Sequence, residues 1–88
     1  MASKRLLKKD VNYVFADIID AAYIHQMAHP KEDPAKSEAI VDEAISDYDQ
    51  LITKINRRDV ENKKKHFTEI QAELETKAGA LVEKINAL

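Results

Sequence analysis

The 88-residue sequence has no cysteine, no tryptophan, one glycine and two prolines. Without cysteine there is no disulfide, no thiolate nucleophile and no cysteine-ligated zinc or iron–sulfur site. Phosphate-binding loops and nucleotide fingerprints need several glycines, because their backbone must adopt positive φ or come close to the ligand. One glycine and two prolines are also too few to supply the turns of an all-β fold. These absences predict a small helical domain and exclude most nucleotide-binding and many catalytic designs.

Long apolar runs are also missing. The longest extends over only four residues, Ala21–Ile24, whereas a membrane-spanning helix needs about 20. No apolar segment of signal-peptide type follows the basic N-terminus. We therefore expect a cytoplasmic protein that does not span a membrane. The length allows a single domain, 1–88, with one modest core.

Two breaks divide the chain into three predicted helices. Pro30 disfavours helical geometry at the residue before it, and Asp33-Pro34 combines an N-cap with a proline at the first helical position. The second break, near Asn56, contains neither glycine nor proline and is inferred from Asp59 as an N-cap. If that inference fails, the last two helices form one long rod. The predicted helices cover 3–28, 34–56 and 60–87.

Apolar residues recur at alternating spacings of four and three in the first two segments and in heptad register in the third, which is typical of helices packed at a shallow angle. Similar lengths and short connections favour antiparallel neighbours. The sequence therefore predicts an all-α fold, an antiparallel up-down-up three-helix bundle. Its predicted core stripes are Leu7, Val11, Val14, Ile18 and Ala21; Val41, Ile45, Tyr48, Ile52 and Ile55; and Phe67, Ile70, Leu74, Leu81, Ile85 and Leu88.

The only glycine, Gly79, lies inside the third predicted helix. There it costs about 1 kcal/mol relative to alanine. Two interpretations are open. It is either a tolerated surface glycine or a flat spot where another helix, of this chain or of a partner, comes close.

Few residues carry a catalytic or metal-binding pattern. His25 and His29 have the i,i+4 spacing of a helical chelate, but a metal site needs three or four ligands, and the nearest further donors are Glu32 and Asp33 in the loop. The simpler interpretation is a half-buried His25 closing the end of the bundle, with His29 at the helix terminus. No Glu-x-x-His tetrad or nucleophile motif is present. We expect no catalytic residue, metal or cofactor, and no enzymatic activity.

Fourteen basic and sixteen acidic residues nearly cancel, but the basic residues are unevenly distributed. An up-down-up bundle places the start of helix one beside the turn between helices two and three. Ten of the fourteen basic residues then share one end, which we call the basic pole: Lys4, Arg5, Lys8, Lys9, Lys54, Arg57, Arg58, Lys63, Lys64 and Lys65. All except Lys54 are candidate binding residues.

Helix electrostatics does not require this arrangement, because cations at helix N-termini oppose the macrodipole by some tenths of a kcal/mol each. An anionic partner, such as nucleic-acid phosphate or an acidic protein surface, would account for the basic pole. The alternative is a solvated, solubilising end without a partner.

The first predicted helix also has a broad apolar face, on which Phe15, Ile19, Tyr23 and Ile24 extend beyond the main stripe. A second copy of the chain could cover any part of this face that three helices leave open. The leading hypothesis is thus a non-enzymatic interaction module that self-associates, forming a homo-oligomer, or docks on a protein partner. Nucleic-acid binding at the basic pole is the alternative.

The segment Lys4–Tyr13, KRLLKKDVNY, resembles the start of a family of small bacterial all-helical proteins without an assigned function. This resemblance implies a bacterial cytosolic protein and an all-helical fold. It implies no active site.

Overall fold

A computed structural model describes residues 4–88, and these residues form an all-α bundle of three helices that pack against one another. The helices are α1 (Lys4–Ala28), α2 (Ala35–Ile55) and α3 (Lys63–Asn86). The predicted start of the first helix at Ser3 lies outside the described residues. The bundle measures 51 × 19 × 18 Å. None of the helices in the described part of the chain is long and apolar enough to cross a bilayer.

Polar contacts between helices define the antiparallel order. Lys54 near the end of α2 binds Glu73 of α3 at 2.7 Å, while Glu43, in the first half of α2, binds Lys84 near the end of α3. Gln26 at the end of α1 donates to Ser37 at the start of α2 at 2.6 Å. The predicted up-down-up topology is confirmed.

The turn between α1 and α2 follows the proline signals. α1 ends at Ala28, before Pro30. The carboxylate of Asp33 accepts a hydrogen bond from the backbone N–H of Ala35 at 3.0 Å, and so satisfies a donor of the first turn of α2. Pro34 has helical dihedral angles, φ −73° and ψ −3°, but the helix begins one residue later than predicted.

The start of α3 corrects the prediction of Asp59 as its cap. Asn62 is the N-cap, and its side chain accepts from Lys65 N at 3.1 Å. Asp59 instead binds the guanidinium of Arg57 at 3.2 Å. Aspartate and asparagine are equally good caps, so propensity did not distinguish them. The connection, residues 56–62, separates α2 from α3 and rules out the long rod.

The core confirms the stripe of α3 and shifts those of α1 and α2. In α1, Phe15 and Ala22 are buried in place of Val14 and Ala21, which are half-buried. Ile45, predicted to be buried, is 47% exposed. The buried residues of α2 are instead centred one position earlier, on Ile40, Ala44 and Leu51. Because α2 packs against both other helices, the middle of its wide apolar surface is buried and Ile45 lies at the edge.

Gly79 is exposed, and a Cβ added there would meet no atom within 4 Å. The interpretation that another helix of this chain comes close at Gly79 is therefore wrong for the described residues.

Candidate functional site

The structure brings both basic segments to one end of the bundle. Lys4, at the start of α1, lines a groove of about 410 Å³ together with Arg57, Arg58 and Lys63 from the other segment. The first turn of α1 therefore lies beside the α2–α3 connection, as the topology requires.

Among residues 4–88, most charges of the basic pole have no ion-pair partner. Lys54 binds Glu73, and its hydrogen bond lowers the pKa of that carboxyl group. Arg57 binds Asp59, and this hydrogen bond likewise lowers the pKa of the aspartate. Within residues 4–88 no ion pair involves the other eight, which are Lys4, Arg5, Lys8, Lys9, Arg58, Lys63, Lys64 and Lys65.

The first turn of α3 adds backbone donors to these cations. Asn62 accepts from the N–H of Lys65 through its side chain and from the N–H of His66 through its carbonyl. Within the described part of the chain, the N–H groups of Lys63 and Lys64 have no hydrogen-bond acceptor. Free N–H groups at a helix N-terminus favour a bound anion. Here they belong to a first turn that also carries three consecutive lysines.

The groove has apolar walls as well as a cationic rim. Ile55 is fully buried, and Val60 and Phe67 are half-buried. His66 is held in place, because its Nε2 donates to the carbonyl of Lys54 at 2.7 Å. The arrangement can attract an anion by charge and contact an apolar part of the same ligand.

The predicted self-association face is only partly present at the surface. Phe15 is 2% exposed and lies in the core against Tyr48, with the ring centroids 6.2 Å apart. Its assignment to a contact face is wrong. Ile19 is half-buried and packs against the core, whereas Tyr23 and Ile24 are exposed.

Sequence reasoning identified only part of the exposed apolar surface of α1, because it placed Ile24 there but missed Met27. Tyr13, Ile24 and Met27 are 60%, 60% and 73% exposed. Spacings of eleven and three residues place them on one side of the helix. They are exposed because the other side of α1 packs into the core. A wide apolar pattern does not specify which part of it will be buried.

A second polar cluster occupies the opposite end of the bundle. His25 and His29 stack with ring centroids 4.3 Å apart, and Nε2 of His25 lies 3.0 Å from a carboxylate oxygen of Glu32. His25 is half-buried, in agreement with the simpler interpretation, since its side chain is 21% exposed. His66 lies at the other end, as predicted.

Comparisons of the chain with models of known families, with curated proteins and with solved structures found no match. The resemblance of Lys4–Tyr13 to a bacterial family therefore stays a prediction.

Proposed function

We propose that the protein is a non-enzymatic binding module that holds the phosphate backbone of a nucleic acid at the basic pole, in the cytoplasm. The observation that carries this proposal is that eight of the ten cations of the basic pole have no ion-pair partner in residues 4–88. Nucleic-acid binding takes precedence over the leading sequence hypothesis, self-association, because Phe15 belongs to the core.

The cost of the arrangement supports an external partner. Lys63, Lys64 and Lys65 form the first turn of α3, where positive side chains oppose the helix macrodipole. No carboxylate of the first turn of α3 offsets them. A phosphate placed there would accept hydrogen bonds from the free N–H groups and neutralise the lysines at the same time.

The residues that line the groove indicate which chemical groups of a nucleic acid the protein would contact. Its rim carries Lys4, Arg58 and Lys63, while Phe67 and Val60 offer apolar surface between them. Phosphates would bind at the rim, and a sugar or base would contact the apolar wall. Contacts of this kind are largely independent of sequence, since phosphates carry no base information.

Fluorescence anisotropy with a labelled random-sequence RNA or DNA oligonucleotide tests the proposal. Affinity should fall steeply with salt, because each neutralised phosphate releases a counterion. Replacing Arg57, Arg58, Lys63, Lys64 and Lys65 together with glutamine should abolish binding. Unchanged binding by that variant, or no binding by the wild type at low salt, would refute the proposal.

A control matched in charge separates the basic pole from net charge. The triple variant Lys63→Gln, Lys64→Gln, Lys65→Gln and the triple variant Lys31→Gln, Lys36→Gln, Lys84→Gln each remove three positive charges. Only the first should lose most of its affinity. Equal losses would show that binding depends on overall charge and would contradict a site at the basic pole.

Self-association or docking on a protein partner stays a second candidate. The surface proposed for it keeps Ile24 of the predicted face and excludes Phe15. It is favoured by the exposure of Tyr13, Ile24 and Met27 on one side of α1. Sedimentation equilibrium at high micromolar concentration should show dimers in the wild type and monomers in Ile24→Glu, Met27→Glu. A strictly monomeric wild type would refute self-association.

A further inference from the structure

We propose that His25, His29 and Glu32 form a binding site for a divalent transition-metal ion of the zinc class at the α1–α2 end of the bundle. One ring nitrogen from each histidine and one oxygen of Glu32 lie within 4.8 Å of one another. Two imidazoles and a carboxylate are a ligand set that zinc uses in proteins, with a fourth position left open. This site is independent of the basic pole.

Local structure brings the three donors together. His25 and His29 are one helical turn apart at the end of α1, so their side chains lie on the same face. The chain then turns, and the N–H of Glu32 donates to the carbonyl of His29 at 3.1 Å. This turn returns the Glu32 side chain to His25, where its carboxylate lies 3.0 Å from Nε2.

The distances are compatible with one ion. Donor atoms about 2.1 Å from a tetrahedral zinc lie about 3.4 Å from each other. The pair His25–Glu32 is already that close, and the remaining separations need to shrink by about 1.4 Å at most. Glu32 and His29 are exposed, so rotation of their side chains can supply this movement.

A hydrogen bond to the backbone prepares one ligand. Nδ1 of His29 lies 3.0 Å from the carbonyl oxygen of His25 and donates to it. In a neutral imidazole this leaves the lone pair of Nε2 for a metal. Metal-binding histidines usually donate their other ring N–H in this way, which fixes the tautomer.

The surroundings leave space for a fourth ligand. A cavity of about 210 Å³ adjoins the cluster and is lined by His25, His29, Glu32, Asp33 and Ser37. One oxygen of Asp33 caps α2 through Ala35 N, and its other oxygen is available. A water molecule or Asp33 would complete four-coordinate zinc.

Isothermal titration of the untagged, full-length chain with zinc chloride, after removal of metal with EDTA, tests the site. We expect one ion per chain. His25→Ala, His29→Ala and Glu32→Gln should each weaken binding by at least about tenfold, the lower end of the loss seen even for outer-shell partners. Glu38→Gln, which removes an exposed carboxylate of the first turn of α2, should bind as the wild type does.

Two results would overturn the proposal. One is unchanged zinc affinity in the double variant His25→Ala, His29→Ala, in which His66 is retained. The other comes from the wild type alone and so does not depend on the folding of variants. In ¹H–¹⁵N spectra zinc should shift the resonances around His25, His29 and Glu32. Shifts centred on His66 instead, or an equal response to magnesium, would show that the cluster is not a zinc-class site.

Discussion

The two ends of the bundle differ in whether their polar and charged side chains have partners within the described residues. At the α1–α2 end, polar groups bind each other: Gln26 donates to Ser37, Ser37 donates to the carbonyl of Pro34, and His25 binds Glu32. At the basic pole, large apolar side chains such as Leu7 and Ile55 close the core, and eight cations around them have no ion pair within residues 4–88. The polar side chains of one end are therefore paired with each other, whereas most cations of the other end have no ion pair within residues 4–88.

This contrast separates stability from function. We expect the buried apolar side chains at the basic pole to hold the helices together, and the cations without an ion pair in residues 4–88 to contribute little to stability. At the α1–α2 end the polar side chains contribute to folding directly. Substitutions at the two ends should therefore have different consequences.

The largest expected effect tests the apolar closure of the basic pole. Ile55 is fully buried, so Ile55→Ala should lower the free energy of unfolding by about 2–5 kcal/mol through lost burial and a cavity. Urea denaturation followed by circular dichroism measures this change. A loss below about 1 kcal/mol would mean that the large side chains do not hold this end together.

The next effect tests the polar closure of the opposite end. Ser37→Ala removes a buried hydroxyl that accepts from Gln26 and donates to the carbonyl of Pro34. We expect a loss of about 1–3 kcal/mol in the free energy of unfolding, since partners are left unsatisfied. Urea denaturation of Ser46→Ala, at an exposed position of α2, is the control. Equal stability of both variants would contradict polar closure.

A smaller effect concerns the ion pairs that join α2 to α3. Hydrogen bonds from Lys54, and then from Lys77, lower the pKa of Glu73 below its ordinary value of 4.5, while burial opposes them. A lowered folded-state pKa stabilises the protein above the unfolded-state pKa, and this stabilisation is lost as pH falls through the folded-state value. Glu73→Gln should therefore cost about 0.5–1 kcal/mol at neutral pH.

Denaturation of the wild type and Glu73→Gln across a pH series checks the sign. The difference between them should persist at neutral pH and disappear as the pH falls below 4.5. A difference that grows towards acid pH would contradict the assignment.

The smallest expected change in the free energy of unfolding is a gain in stability at the basic pole. It distinguishes this end most clearly from the α1–α2 end, where the polar side chains are expected to stabilise the fold. Lys64→Glu places a negative charge in the first turn of α3, where it favours the macrodipole and reduces repulsion, so the protein should gain about 0.3–1 kcal/mol of stability. The same substitution should weaken nucleic-acid binding. Thermal unfolding and anisotropy of the one variant measure both. A variant that loses stability would show that the lysine serves folding.

Much of the fold was predictable because the helical period is explicit. The heptad register of Ile70, Leu74 and Leu81 identified the buried face of α3 correctly. The helical period does not specify which residues of a wide apolar stripe will contact the neighbouring helices. Ile45 and Phe15 were therefore assigned to the wrong environments, one at the edge of a stripe and one at its centre.

The candidate sites differ in the same way. The grouping of Lys4 with Lys63 depended only on the up-down-up topology, so it was predictable from the sequence. The closeness of Glu32 to His25 depends on the turn formed by residues 29–32. Spacing along a helix carries no information about such a turn, and Glu32 was recognised only as a nearby donor.

We expect the basic pole, and not the remainder of the surface, to bind nucleic acid. Titration of ¹⁵N-labelled protein with a short oligonucleotide tests this claim directly, because the free amides of Lys63 and Lys64 report on a phosphate bound at the start of α3. The largest shifts are expected at these two amides and around Arg58, and these shifts should disappear at high salt. Shifts centred on the α1–α2 turn, or none at low salt, would contradict it.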